Sequence, residues 1–130
     1  MDSKEQKYKL LVVEDDEDSQ RFLKLFLKRE FIISMSNSGE TFYHELENGE
    51  FDVILMDVSL RGEKDGLQLT REIKNDDKYK HIPVVALTAH AYQRDRAEAL
   101  KAGVNFFLTK PVKNETLMET LRTAVKESLQ

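Results

Sequence analysis

Asp57 closes a short apolar run, residues 53–56, and a loop carrying Gly62 and Gly66 follows it. An apolar run bounded by turn signals reads as a strand buried in a parallel sheet. A carboxylate at its end lies on the carboxyl edge of that sheet, where open α/β folds place their chemistry. Other polar residues are placed alike. The run 8–13 ends in Glu14-Asp15-Asp16, the run 82–87 ends in Thr88, and the run 105–108 leads through Thr109 to Lys110. In a parallel sheet all these ends share one edge, so Glu14, Asp15 and Asp57 crowd together. Like charges that close cost free energy unless a cation neutralises them. An all-oxygen ligand set suits Mg2+, with Mn2+ the alternative. Lys110 adds a point charge and Thr88 a hydroxyl donor.

The elements that must position these groups follow from periodicity and turn signals. Strands are expected over 8–13, 31–35, 51–56, 82–87 and 105–108, with Pro83 tolerated only near a strand start. A helix capped by Asp16 or Asp18 runs to Glu30 and buries a stripe of Phe22, Leu23, Phe26 and Leu27. A second covers 40–48 and stops at Asn48-Gly49, with a left-handed cap residue expected there. A third covers 67–74 with Leu67 and Ile73 inward, and a fourth covers 91–102, closed by Gly103. A fifth, capped by Asn114 or Thr116, turns Leu117, Leu121 and Val125 to the sheet. Strands alternating with helices give an α/β, doubly wound, five-stranded parallel sheet with five helices, because parallel neighbours need crossovers.

Bulk properties narrow the function classes. The chain has 130 residues, enough for one cored domain, and no linker, repeat or second domain is expected. At 40% hydrophobic and 34% charged it reads as a soluble globular protein. A net charge of −4 gives no support to nucleic-acid binding. With no cysteine, disulfides and thiolate metal sites are excluded. No apolar run approaches the roughly 20 residues of a membrane span. Residues 1–6 form a polar tail without a signal-peptide core, so a cytoplasmic location is expected, with 7–130 as the domain.

The segments VVEDD, ILMD, ALTA and LTKP, in this order and each at a strand end, resemble the receiver domain of response regulators in two-component signalling. The resemblance covers Tyr8 to about Leu129. It implies a flavodoxin-like strand order of 2-1-3-4-5, as in chemotaxis regulators. It implies that Asp57 is the phospho-acceptor, that Asp15 binds the metal directly, and that Glu14 reaches it through water. Ser59 matches the position whose backbone carbonyl ligates the metal. Thr88 matches the switch hydroxyl, with Ala89 beside it, and Lys110 the lysine that pairs with the phosphoryl group. The Lys110–Pro111 bond resembles the family's cis peptide, and Phe107 matches the aromatic switch. The implied partners are a histidine kinase or histidine phosphotransfer protein and an unidentified output protein, without membrane or nucleic-acid contact. The domain would act as a monomer or a phosphorylation-dependent dimer. It would be an acceptor rather than an enzyme, though able to catalyse its own dephosphorylation.

Physical chemistry supports these roles separately. Phosphoryl transfer is mostly positioning and charge neutralisation. A phosphoryl group adds close to two negative charges at one point. Thr88 and Lys110 are drawn toward it, Phe107 moves into the space Thr88 leaves, and the face of helix four, strand five and helix five changes.

Some residues depart from the family pattern or take plainer readings. Leu60-Arg61-Gly62 lacks the usual proline, and Glu63-Lys64 lengthens the loop slightly. Phe107 lacks the hydroxyl of the commoner tyrosine. Asp16, Glu17 and Asp18 read as a solvated helix start that suits the helix dipole. Phe106 reads as core, and His44 and His81 as surface. A rival class, aspartate phosphatases, shows an Asp-x-Asp signature and a cap domain, whereas Asp57-Val58-Ser59 lacks the second acid. A receiver-like binding module without phosphorylation has no need for all of Glu14, Asp15, Asp57, Thr88 and Lys110. The stretches 88–91 and 108–112 resemble receivers attached to hybrid kinases, so a domain excised from such a kinase is the other setting. Ser59 and His90 fall where the family tunes phosphoryl lifetime. A histidine titrates near 6.5, so dephosphorylation is expected to vary between about pH 6 and 8. A rate profile by phosphate release, unchanged in His90→Ala, rules that out.

Overall fold

A computed structural model describes residues 7–58, 60, 64–89 and 93–129, apart from the side chains of 93–95. The order is β1 (Tyr8–Val13), α1 (Glu17–Leu27), β2 (Phe31–Ser36), α2 (Gly39–Asn48), β3 (Val53–Asp57), α3 (Gly66–Lys74), β4 (Val84–Thr88), α4 (Gln93–Ala102), β5 (Phe106–Thr109) and α5 (Asn114–Ser128). The strands form one parallel sheet in the order β2-β1-β3-β4-β5, as the resemblance implies.

Strand side chains alternate between faces, and both faces are covered. Leu11, Val13, Ile54, Met56, Val84 and Ala86 meet Phe42, Leu46, Leu69, Ile73 and Ala99 from α2, α3 and α4. Leu10, Val12, Val53, Leu55, Val85 and Leu87 meet Leu23 and Leu27 of α1 and Leu117, Leu121 and Val125 of α5. Burial on both faces is why these strands read as continuous apolar runs instead of alternating ones.

Several expected details change. Phe22 is 53% exposed and Phe26 only half-buried, so Leu23 and Leu27 alone form the buried seam of α1. The two phenylalanines stack on each other at 6.3 Å beside it. Helix α1 ends at Leu27, and Glu30 beyond it takes a forked ion pair from Arg122 of α5. Gly49 is extended, with φ −151, and Gly103 is the glycine found in the left-handed region, at φ 105. Helix α2 starts at Gly39, because Ser38 and Thr41 form a reciprocal capping box. Leu69, not Leu67, is the buried leucine of α3. Strand β3 begins at Val53, since Asp52 uses its side chain to accept from the Lys9 N–H at 2.8 Å. Strand β4 begins after Pro83, which has no N–H to give the ladder. Strand β5 begins at Phe106, and Asn105 accepts from the Val84 N–H through its side chain at 2.8 Å. Lys113 stands at the start of α5 without a side-chain cap, and Asn114 and Thr116 lie inside the helix. Phe106 is half-buried rather than core. Among the described residues no helix is long and apolar enough to cross a membrane.

Truncating Leu121, which is fully buried, leaves a cavity under the sheet. Leu121→Ala is expected to lower stability by about 2–5 kcal/mol in urea unfolding. Leu129→Ala, at a site 65% exposed, should change it by less than about 0.5 kcal/mol.

Candidate functional site

Register sets the site. Val13 pairs with Met56, so Glu14 and Asp57 leave adjacent strands at the same level. Asp57 pairs with Leu87, and Thr88 pairs with Thr109, one residue before Lys110. Past the ladder the edge stays hydrogen-bonded. Glu14 N donates to the Ser36 carbonyl at 2.9 Å, Val58 N to Leu87 at 3.0 Å, and Lys110 N to Thr88 at 2.7 Å. Strand order reverses between β1 and β3, and that switch point opens the crevice in which such folds bind ligands.

The acidic groups are both close and buried. Glu14 is 2% exposed and Asp57 5%, with Asp15 half-buried. Each of the three offers a carboxylate oxygen, and these lie within 4.8 Å of one another. The Lys110 Nζ is 3.5 Å from Glu14 Oε1, and the Asp16 N–H donates to Glu14 Oε2 at 3.1 Å. Burial, reinforced by the neighbouring Asp57 carboxylate, pushes the Glu14 carboxyl up to about 6, against the opposing pull of the Asp16 N–H and Lys110. Lys110 therefore does not fully offset the crowding. The donor set is all oxygen and compact, which fits a hard divalent cation. Asp16 caps α1 by accepting from Ser19 N at 2.9 Å, so it serves the helix.

Thr88 is 1% exposed, Ala89 exposed, and Lys110 half-buried. Phe107 pairs with Ala86, which puts its side chain on the same face as Thr88. It is half-buried against that layer, with the Arg96 guanidinium 5.9 Å from its ring centre. The Lys110–Pro111 peptide is cis. Ser59 and His90 lie outside the described residues, as do Arg61, Gly62 and Glu63. His44 and His81 are exposed.

One residue of the site escapes sequence reasoning. Gly66 opens α3 rather than belonging to a flexible loop. A Cβ there would fall inside the contact radius of the Asp57 carbonyl oxygen and 3.0 Å from Val58 Cα. The glycine lets α3 press against the backbone that carries Asp57. Its only signal is its place directly after a capping aspartate.

Residues 10–122 match the sequence pattern described as the response regulator receiver domain. The chain belongs to that family. Among similar proteins is chemotaxis protein CheY-3 of Vibrio cholerae, 33% identical over 87% of this chain and 88% of that one. Hybrid signal transduction histidine kinase I of Dictyostelium discoideum is 36% identical over 90% of this chain, which spans only 7% of that kinase. A solved receiver domain, that of sensor histidine kinase PA1611 from Pseudomonas aeruginosa, superposes with a TM-score of 0.84 at 32% identity, covering 93% and 99% of the two chains. That structure has a magnesium ion coordinated in its active-site cleft. Receivers of this kind are phosphorylation-dependent signalling units that work with histidine kinases or phosphotransfer proteins.

The raised Glu14 carboxyl makes a signed prediction. Between about 4.5 and about 6 the metal-free folded protein holds a proton that the unfolded chain has released, so stability falls as pH rises through that window. Glu14→Gln should flatten this slope and raise the melting temperature near neutral pH, in chelator, by about 2–6 °C. Circular dichroism melts across the window read it directly.

Proposed function

We propose that Asp57 accepts a phosphoryl group from a histidine of a kinase or histidine phosphotransfer protein. The observation that carries this is the buried meeting of Glu14, Asp15 and Asp57 oxygens within 4.8 Å, with the Lys110 ammonium at their side. An Asp57 oxygen attacks phosphorus, the P–N bond to the donor imidazole breaks, and the imidazole leaves protonated by solvent. Glu14, Asp15, Asp57 and the Ser59 carbonyl are the residues that would hold Mg2+, or Mn2+ in its place. Bound there, the ion offsets negative charge on the phosphoryl oxygens.

The chain's own residues do the rest. Lys110 pairs with the incoming phosphoryl group, and the Thr88 hydroxyl and Ala89 backbone receive its oxygens. Thr88 is buried, so its movement frees space on the face that Phe107 shares. Phe107 follows it inward, and the α4–β5–α5 face becomes a different surface for an output partner or for onward relay. Ser59 and His90 tune the lifetime of the phosphoryl group. Residues 7–130 act as one receiver unit in the cytoplasm, as a monomer or a phosphorylation-dependent dimer, without binding DNA. The Dictyostelium relative, a hybrid histidine kinase, supports the other setting, a receiver within a longer kinase.

Incubation with a small phosphodonor and Mg2+, followed by intact mass, is the test. Wild type should gain one phosphoryl mass and Asp57→Asn none. Equal adducts on both proteins would remove Asp57 from the mechanism.

A further inference from the structure

The return path from Asp57 to α3 carries a polar cluster that the acidic edge does not explain. Glu72 on α3 accepts from three side chains. Tyr43 on α2 donates its hydroxyl to Oε1. Lys64 Nζ lies 3.0 Å from Oε1 and 2.9 Å from Oε2. Gln68 Nε2 donates to Oε2 at 3.1 Å. The Lys64 ammonium also sits 5.8 Å from the centre of the Tyr43 ring. A single exposed lysine–glutamate pair contributes little. Here the same carboxylate also binds a half-buried tyrosine, and Tyr43 packs against the core layer beside Phe42, which is fully buried.

This cluster is tied to the acceptor by chain geometry. Lys64 immediately precedes Asp65, whose side chain caps α3 by accepting from Gln68 N at 2.9 Å, and Gly66, which lies against the Asp57 carbonyl. Leu60, on the other side of the loop, is buried in the layer that contains Phe42. Lys64 is therefore a further tie at the start of α3, beside the contacts that Asp65 and Gly66 make there. Tyr43, then Lys64, holds the Glu72 carboxyl down to about 2, so it stays ionised at neutral pH.

We propose that Tyr43 and Lys64, acting through Glu72, are positioning residues for the acidic edge. They hold the α3 end of the segment that leaves Asp57, and so set how tightly Glu14, Asp15 and Asp57 take a divalent cation. Neither touches the cation or the phosphoryl group. The inference rests on the metal-dependent reading of Asp57, and its test separates the two.

Magnesium chloride is titrated calorimetrically into wild type, Tyr43→Phe, Lys64→Met and Lys64→Arg, with a melting curve for each. Partners outside a metal's own ligands commonly change affinity by an order of magnitude or more. For this more distant tie the two disabling variants should weaken Mg2+ by about three- to tenfold, with Lys64→Arg within about twofold of wild type. Melting temperatures should stay within about 3 °C. Uptake by wild type with unchanged affinity in Tyr43→Phe and Lys64→Met overturns the positioning role alone. A loss that merely follows a fall in melting temperature, without rescue by arginine, shows a brace between helices and overturns it too. Absence of Mg2+ uptake by wild type overturns the metal-dependent reading and this inference together.

Discussion

Two carboxylates taken out of water side by side are the constraint around which the chain is arranged. Glu14 and Asp57 are both nearly inaccessible. Each leaves a strand whose flanks are filled by apolar side chains. Burial weakens solvation of each charge and sharpens the repulsion between them. Burial, and after it the Asp57 carboxylate, pushes the Glu14 carboxyl up, while Lys110, at 3.5 Å, pulls the other way. A fold that keeps such an arrangement holds a standing demand for positive charge at one point. An all-oxygen cluster of this kind suits a hard divalent cation.

The surroundings read as responses to the same demand. The parallel sheet brings distant segments to one edge without any of them having to bend. Glycine at position 66 lets α3 come in against the Asp57 carbonyl. Thr88 and Phe107 lie on one face of the adjacent strands β4 and β5. The Arg96 guanidinium of α4 lies beside the Phe107 ring.

Much of this is legible in the residues alone. Strand runs are continuous because both faces are buried, and the acids, threonine and lysine stand out because they end those runs. What escapes is set by contacts between elements. Helical spacing put Phe22 in the seam of α1, but it is exposed, and Phe26 packs only at the margin of the Leu23–Leu27 ridge. A glycine after a helix suggested a left-handed cap, yet Gly49 is extended. Asn114 looked like a cap, yet the helix starts at that residue, with Lys113 ahead of it. The bond between Tyr43 and Glu72 joins α2 to α3 across 29 positions, and no local pattern announces it.

The pairing of Val13 with Met56 carries one more implication. Neighbours along a strand face opposite layers, so sliding β3 by a single place would move each of its side chains into the layer packed for its neighbour and carry Asp57 out of level with Glu14. Packing and chemistry would be lost in the same motion.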